Sequence, residues 1–369
     1  MKTINARQCG IMLVMCIFAN KILLMPSLMY RQTSADSIFV LIALFLLDII
    51  MLPIFLKLKQ AYPDKKFYDI LKEKVGTVLT KIIYIALICF FFFKCLLVFS
   101  ITYVYFKQQI YQDEFIFMAL IAFLPVINHA VLSGVRAFSR TIELFFGIVI
   151  AGFIVCLAIS LFTPISTPYF FVSTGKQFFT SLYNHVFAFG DFIILFLIMD
   201  RIELKKGQAK QLFIYSILAM ALVVLLFYLF YAKYQITAFM HNNALADLLV
   251  FSVQFNAIGR LDIIAMLTIM FITLFQMEIF NYAFCDCFVN IFPLLNKNYS
   301  IVVFDILFCI LYYVFIGRYE TMVTSTLFWL PYLAIAVNYI LPVLMLVIIL
   351  IRRKKLEKTG QNRLEKQKR

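Results

Sequence analysis

The chain reads as an all-α polytopic membrane protein of ten transmembrane helices, the first and sixth broken near their midpoints. Three observations predict this. Of 369 residues, 64% are hydrophobic and only 14% charged, where an ordinary soluble domain carries about 25% charged residues. Apolar runs bounded by charges recur along the whole length, and each bilayer crossing needs about 20 apolar residues. Two of those runs, at corresponding places in the two halves, carry polar or helix-breaking residues at their centres. A secreted domain, a nucleic-acid binder and a cytosolic enzyme are therefore excluded as first readings.

The runs fall at about 7–30, 37–58, 78–106, 115–132, 142–163, 181–200, 211–232, 260–291, 299–317 and 325–351. The first follows basic residues but lacks a small-residue cleavage site, so it predicts a retained helix rather than a signal peptide. The third and eighth are long enough to tilt strongly or project beyond the hydrocarbon. Between the seventh and eighth, Tyr234–Gly259 is too polar to span easily and predicts a loop with a short amphipathic helix. Strands are not expected, because a spanning sheet requires a closed barrel. The organisation is then one transmembrane domain, 1–351, with repeat one at about 7–163 and repeat two at about 181–351. A basic tail, 352–369, follows.

Charge sets the orientation. The net charge of +14 is concentrated in Lys57–Lys81, with seven lysines, and Arg352–Arg369, with nine Lys or Arg. Both read as headgroup-facing clusters, and without an aromatic-interleaved basic face no nucleic-acid partner is expected. Placing the N-terminus inside puts 25 of the 33 Lys and Arg on inner segments and six on outer ones. That asymmetry places both termini in the cytoplasm, which an even number of spans permits. The two remaining cations, Lys21 and Lys94, lie within spans.

All eight cysteines sit in apolar runs, where a thiol behaves as a small hydrophobe, so no disulfide framework is expected. Cys285-Asp286-Cys287 resembles a fragment of a metal site, but no second cysteine pair or nearby histidine completes it. His129, His185 and His241 lack ligand spacing, and no HExxH, phosphate-binding loop or nucleophile elbow is present. No cofactor, metal or enzymatic activity is expected.

The two interruptions are where chemistry is expected. In the first run stand Ala19, Asn20 and Lys21, followed by Pro26; in the sixth stand Phe187, Ala188, Phe189, Gly190 and Asp191. Unwound backbone and half-helix ends expose polar groups, and transporters built from inverted repeats bind substrate at such paired breaks. The bland alternative is that Asn20 and Gly190 only permit close helix packing. Further intramembrane charges are Lys94 in the third run, Glu278 in the eighth and Asp48 in the second. An isolated charge there costs at least about 2.5–3.5 kcal/mol, so these groups should pair or face water. Two cations against three carboxyls leave one carboxyl over, either protonated or awaiting a cation. A zwitterionic amino acid needs donors for its carboxylate and acceptors for its ammonium. Lys21 with nearby N–H groups suits the first, and Asp191 or the carbonyls of Phe187–Gly190 the second. The candidate binding residues are thus Ala19, Asn20, Lys21, Lys94, Phe187, Phe189, Gly190, Asp191 and Glu278.

Several segments carry a family resemblance. Ala19-Asn20-Lys21-Ile22-Leu23-Leu24-Met25-Pro26 sits where relatives have a glycine-bearing G-x-G-I-L-x-x-P stretch. Tyr62-Pro63, Phe67-Tyr68-Asp69 and Val75-Gly76 look like a first cytoplasmic loop, Gly134, Arg140 and Glu143 like the loop before a fifth helix, and Arg260-Leu261-Asp262 like an RLD before an eighth. In order and spacing over nearly the whole chain, this resembles the B-subunit family of spore germination receptors, the endospore germination permeases, within the amino acid–polyamine–organocation superfamily. The resemblance implies a LeuT-like 5+5 inverted repeat with ligand among helices one, three, six and eight, which carry Lys21, Lys94, Asp191 and Glu278. It also implies sensing of a small-molecule germinant, often an amino acid, beside A and C subunits in the spore inner membrane. Ala19 and Lys21 replace expected glycines, so backbone approach to a carboxylate is less free and the ligand cannot be copied from relatives. A proton- or cation-coupled amino-acid transporter is the alternative, favoured by the unbalanced carboxyl; a structural scaffold would have no need of midplane charges.

Overall fold

A computed structural model describes residues 3–19, 21–110, 115–162, 164–205, 207–250, 262–315 and 329–348. The first apolar run is two helices, α1 (Ala6–Ala19) and α2 (Met25–Thr33). A turn of 3-10 helix at Ser34–Asp36 leads into α3 (Ser37–Ala61), then α4 (Phe67–Val75), α5 (Thr77–Ile110), α6 (Phe115–Ser133) and α7 (Val135–Leu161). The sixth run is again divided, into α8 (Gly175–His185) and the short α9 (Ile193–Leu197). Next come α10 (Ala209–Tyr234), α11 (Ala244–Val250), α12 (Asp262–Ile291), α13 (Lys297–Phe315) and α14 (Leu330–Ile348), which contains a π-helical turn at Ile335–Ile340. Among the described residues, eight helical stretches are long and apolar enough to cross a bilayer, and Ala6–Ala19 and Ala122–Ser133 are shorter apolar helices.

The outer surface explains how such a chain tolerates its hydrophobicity. Leu46, Ile82, Leu144, Ile217 and Ile306 are all exposed, the arrangement of a protein whose solvent is lipid. Inside, aromatic rings interlock: Phe92 packs edge-on against Phe304 and Phe308, and Phe99 against Phe308 and Tyr312. These contacts bind α5 to α13, while α12 packs along α5, α6 and α7. Where α1 crosses α10, a Cβ on Gly10 would lie 2.6 Å from the Tyr215 ring, so glycine sets that close approach.

Three features differ from the sequence-based expectation. A two-residue parallel bridge joins β1 (Ile4–Asn5) to β2 (Ile202–Glu203), with Ile4 opposite Ile202 and Asn5 opposite Glu203. The fifth helix begins at Val135, so Arg136 and Arg140 lie on it rather than before it. The expected short helix after the seventh span exists as α11, but it is buried, with Ala244, Leu245, Ala246 and Leu248 all fully covered. Burial also lifts the Asp247 carboxyl on α11 above the usual carboxylate range. On α4 the opposite holds: the exposed Glu73 carboxyl is drawn down to about 2 by the Lys65 and Lys74 ammonium groups. The Arg260-Leu261 part of the RLD motif and the basic tail lie outside the described residues.

The segment ahead of α8 is held by one carboxylate. Asp36 accepts hydrogen bonds from the Phe171 N–H (2.5 Å), the Ser173 N–H (2.7 Å) and the Ser173 hydroxyl (2.8 Å). Asp36→Ala strands these donors, and a loss of about 1–3 kcal/mol is expected. It would appear as a lowered Tm of the detergent-solubilised protein; an unchanged Tm would mean this anchor holds nothing.

Candidate functional site

Each divided run has a local reason to stop. α1 ends at Ala19, and the Lys21 N–H returns to the Phe18 carbonyl at 3.0 Å, forming a turn over 21–24. Helix resumes at Met25 with Pro26 in the first turn, where its missing N–H costs nothing. Asn20, expected at the site, lies outside the described residues. α8 ends at His185, one turn of 3-10 helix covers Val186–Ala188, and Phe189 is extended. Gly190 has φ +80°, a left-handed conformation that favours glycine, and a Cβ there would overlap the Asn338 amide.

The two breaks meet through Asp191. Its carboxylate accepts from the Lys21 ammonium at 3.0 Å and from the Lys94 ammonium of α5. Lys94 Nζ also donates to the Phe189 carbonyl at 2.7 Å, an acceptor that exists only because the sixth run is unwound there. Aromatic faces complete the cationic environment: Lys21 Nζ is 4.7 Å from the Phe189 ring centre, and Lys94 Nζ is 5.0 and 5.4 Å from those of Phe90 and Phe280. Phe187 stands edge-on to Phe90, and Ala19 is buried at the end of α1.

A second carboxylate joins from the opposite side. Asp48 of α3 accepts from the Gly190 N–H at 2.9 Å and from the Tyr339 hydroxyl of α14 at 2.8 Å. Lys21 and Lys94 are 0% exposed and Asp48 and Asp191 1%. Two cations and two carboxyls thus share one enclosed site, each with a direct polar partner. Burial of unpaired charge would cost several kcal/mol per ion, so the pairing is obligatory once the groups are enclosed. Chemically the site offers an ammonium and a carboxylate side by side, the complement of a zwitterion.

Both ends of this site are closed. On one end β1 pairs with β2, Glu143 accepts from Arg7 Nε (3.1 Å) and Gln8 Nε2 (3.0 Å), and Lys59 Nζ donates to the Met199 carbonyl at 2.8 Å. On the other, the Ala244 and Leu245 N–H groups at the start of α11 donate to the Leu23 and Ile22 carbonyls, both at 3.1 Å. The unwound backbone of the first run is therefore satisfied by another loop rather than by solvent. Arg31 adds a forked contact to the Phe239 carbonyl at 3.0 and 3.1 Å.

Of the residues singled out from sequence, Lys21, Lys94, Phe187, Phe189, Gly190 and Asp191 come together, with Ala19 at the edge. Glu278 does not join them: it is 3% exposed, one carboxyl oxygen has no hydrogen-bond partner, and it enters no ion pair among the described residues. Its neighbours on α12 explain this. Gln276 bonds the Cys16 carbonyl of α1 and Phe280 faces Lys94, whereas Asn281 bonds Asn128 of α6 at 2.9 Å. Three residues belong to the site that the sequence reading left out of it. From sequence Asp48 stands out only as an intramembrane charge, and Asn338 and Tyr339 only as a polar pair inside the apolar tenth run.

No curated protein matches the chain. The family model described as spore germination protein does match it, over residues 3–319, in agreement with the resemblance carried by the first run and the loops. The family model covers residues 3–319, and the apolar helices fit a membrane protein, so one conclusion follows: the chain belongs to the spore germination protein family of permeases.

Proposed function

We propose that the chain is the nutrient-sensing B subunit of a spore germination receptor, binding a small zwitterion such as an amino acid between the two broken helices. In this reading ten spans form a LeuT-like 5+5 inverted repeat with both termini in the cytoplasm, beside A and C subunits in the spore inner membrane. The observation that carries it is the enclosed Lys21–Asp191–Lys94 bridge, which joins the first break to the sixth. A zwitterion can exchange into that bridge, its carboxylate taking Lys21 and its ammonium taking Asp191. One internal ion pair is then replaced by two, so no buried charge is left uncompensated. Exchange separates Lys21 from Asp191, and with them the two breaks. Binding accordingly favours one arrangement of the repeats, and differential affinity for that arrangement is what partner subunits would sense.

Lys21→Ala is expected to weaken the germination response to an amino-acid panel at least about tenfold; the control Lys107→Ala should leave the response unchanged. Equal responses in the two strains would remove the site. A coupled amino-acid transporter is the second reading, favoured by Glu278, whose carboxyl lacks an ion pair among the described residues. Uptake of radiolabelled amino acids into vesicles holding this chain alone separates the two. Binding without accumulation supports the sensor, and saturable accumulation supports the transporter.

A further inference from the structure

Away from the midplane site, a cleft of about 260 Å³ opens at the end of the molecule where β1 meets β2. It is lined by Lys66 ahead of α4, Arg136 on the first turn of α7, Arg201 after α9 and Lys297 at the start of α13. Its carboxylate is Asp200, and its floor includes Tyr282 of α12. Four cations therefore converge from four separate elements on one concavity. Arg201 is engaged by Asp286 at 2.6 Å, whereas Lys66, Arg136 and Lys297 form no ion pair among the described residues. Both nearby carboxylates lie against Arg201, Asp286 at 2.6 Å and Asp200 at 3.7 Å, so the cleft keeps an excess of positive charge that an anion would offset.

Two further observations point to a ligand rather than to a solvated charge cluster. Tyr282 is 2% exposed and its hydroxyl has no hydrogen-bond partner, although its ring lies 5.4 Å from the Arg201 guanidinium and 5.9 Å from Lys297 Nζ. A buried phenol normally finds a partner. In addition, the 27-residue α7 begins at this cleft behind Gly134, with no side chain capping its first N–H groups. Free N–H groups and the positive end of the helix dipole both favour an anion there.

We propose that this cleft is an oxyanion site that binds a phosphate group, through Arg136, Lys297 and Lys66 with the Tyr282 hydroxyl as donor from below. Phosphate fits better than a single carboxylate, because several donors converge from different directions and a phosphate presents more oxygens and more charge. The group would bridge α7, α12 and the start of α13 to the chain leaving α9, and so fasten that end of the sixth run. Its source is either an anionic lipid headgroup or free phosphate.

Calorimetric titration of the purified full-length protein with inorganic phosphate, at ionic strength fixed with chloride, tests the chemistry. Saturable binding is expected, weakened about fivefold by Tyr282→Phe and at least about tenfold by Arg136→Ala/Lys297→Ala. Lys66→Ala, a milder change, is the second variant should the double substitution lose its fold. Native mass spectrometry from phosphatidylglycerol or phosphatidylcholine nanodiscs separates the sources. Phosphatidylglycerol retained by the wild type and lost by the double variant identifies the headgroup; phosphate binding without retention identifies free phosphate. Absence of both, or binding undiminished in Tyr282→Phe and in the double variant, overturns the proposal.

Discussion

Asp191→Asn is expected to cost about 3–5 kcal/mol, enough to prevent accumulation of folded protein in the membrane. The substitution leaves Lys21 and Lys94 fully buried with no carboxylate between them. Lys94 keeps the Phe189 carbonyl and two aromatic faces, and Lys21 keeps the Phe189 ring, but none of these supplies a full opposing charge, and the remaining carboxyl, Asp48, bonds Gly190 and Tyr339 rather than either ammonium. Fluorescence-detected size-exclusion chromatography and Tm read the loss directly. The companion variant is Lys21→Met/Lys94→Met/Asp191→Leu/Asp48→Asn, which removes all four ionisable groups of the site, nearly keeps volume and leaves an amide oxygen to accept from Gly190 and Tyr339. Replacement of a whole buried ion cluster by uncharged residues is commonly neutral or stabilising, so this quadruple variant should accumulate and yet give no response to amino acids. A single Asp191→Asn variant with the Tm of the wild type would show that the cluster contributes nothing to folding.

Gly190→Ala is the second substitution with a large expected effect, for two separable reasons. The left-handed backbone at φ +80° costs a non-glycine residue about 1–2 kcal/mol. The added methyl also runs into the Asn338 amide on α14, and overpacking typically costs about 1–3 kcal/mol more. Displacement of α14 or of the break would disturb the Gly190 N–H bond to Asp48 and, through it, the Tyr339 contact. Gly190→Ala/Asn338→Ala removes the collision but not the backbone strain. The double variant should therefore recover part of the lost Tm, giving a coupling between the two positions well above the few tenths of a kcal/mol seen for independent sites. Additive effects would mean that the glycine matters only for its dihedral angles.

What could be read from residues alone follows from how each signal is encoded. Long apolar runs are a property of composition, so the helical membrane class was legible, and the family match agrees with the loop motifs. Both breaks were legible because Lys21 and Gly190-Asp191 stand out against their runs. The pairing of Lys21 and Lys94 with one carboxylate was not, because a tally of charges carries no distances. Glu278 was grouped with the wrong neighbours: it is two residues from both Gln276 and Phe280, which puts it on the other side of a helix of 3.6 residues per turn. Which of the two faces of α12 turns to the site is set by packing, in the contacts of Gln276 with Cys16 and of Phe280 with Lys94. The contribution of Asn338 and Tyr339 was harder to see, since the π-helical turn at Ile335–Ile340 changes which residues share a face. The β1–β2 bridge is two residues long, too short to carry a period. The hydrogen bonds that dock α11 onto Leu23 and Ile22 run between backbone groups and so leave no side-chain pattern.

Equilibrium binding of radiolabelled amino acids to the purified protein is the most direct test of the exchange of a zwitterion into the Lys21–Asp191 bridge. Wild-type protein should bind at least one amino acid saturably, and a Lys21→Met variant of matching Tm should bind it at least about tenfold more weakly. Saturable binding with the same affinity in Lys21→Met, or none for any amino acid in the wild type, would contradict the account.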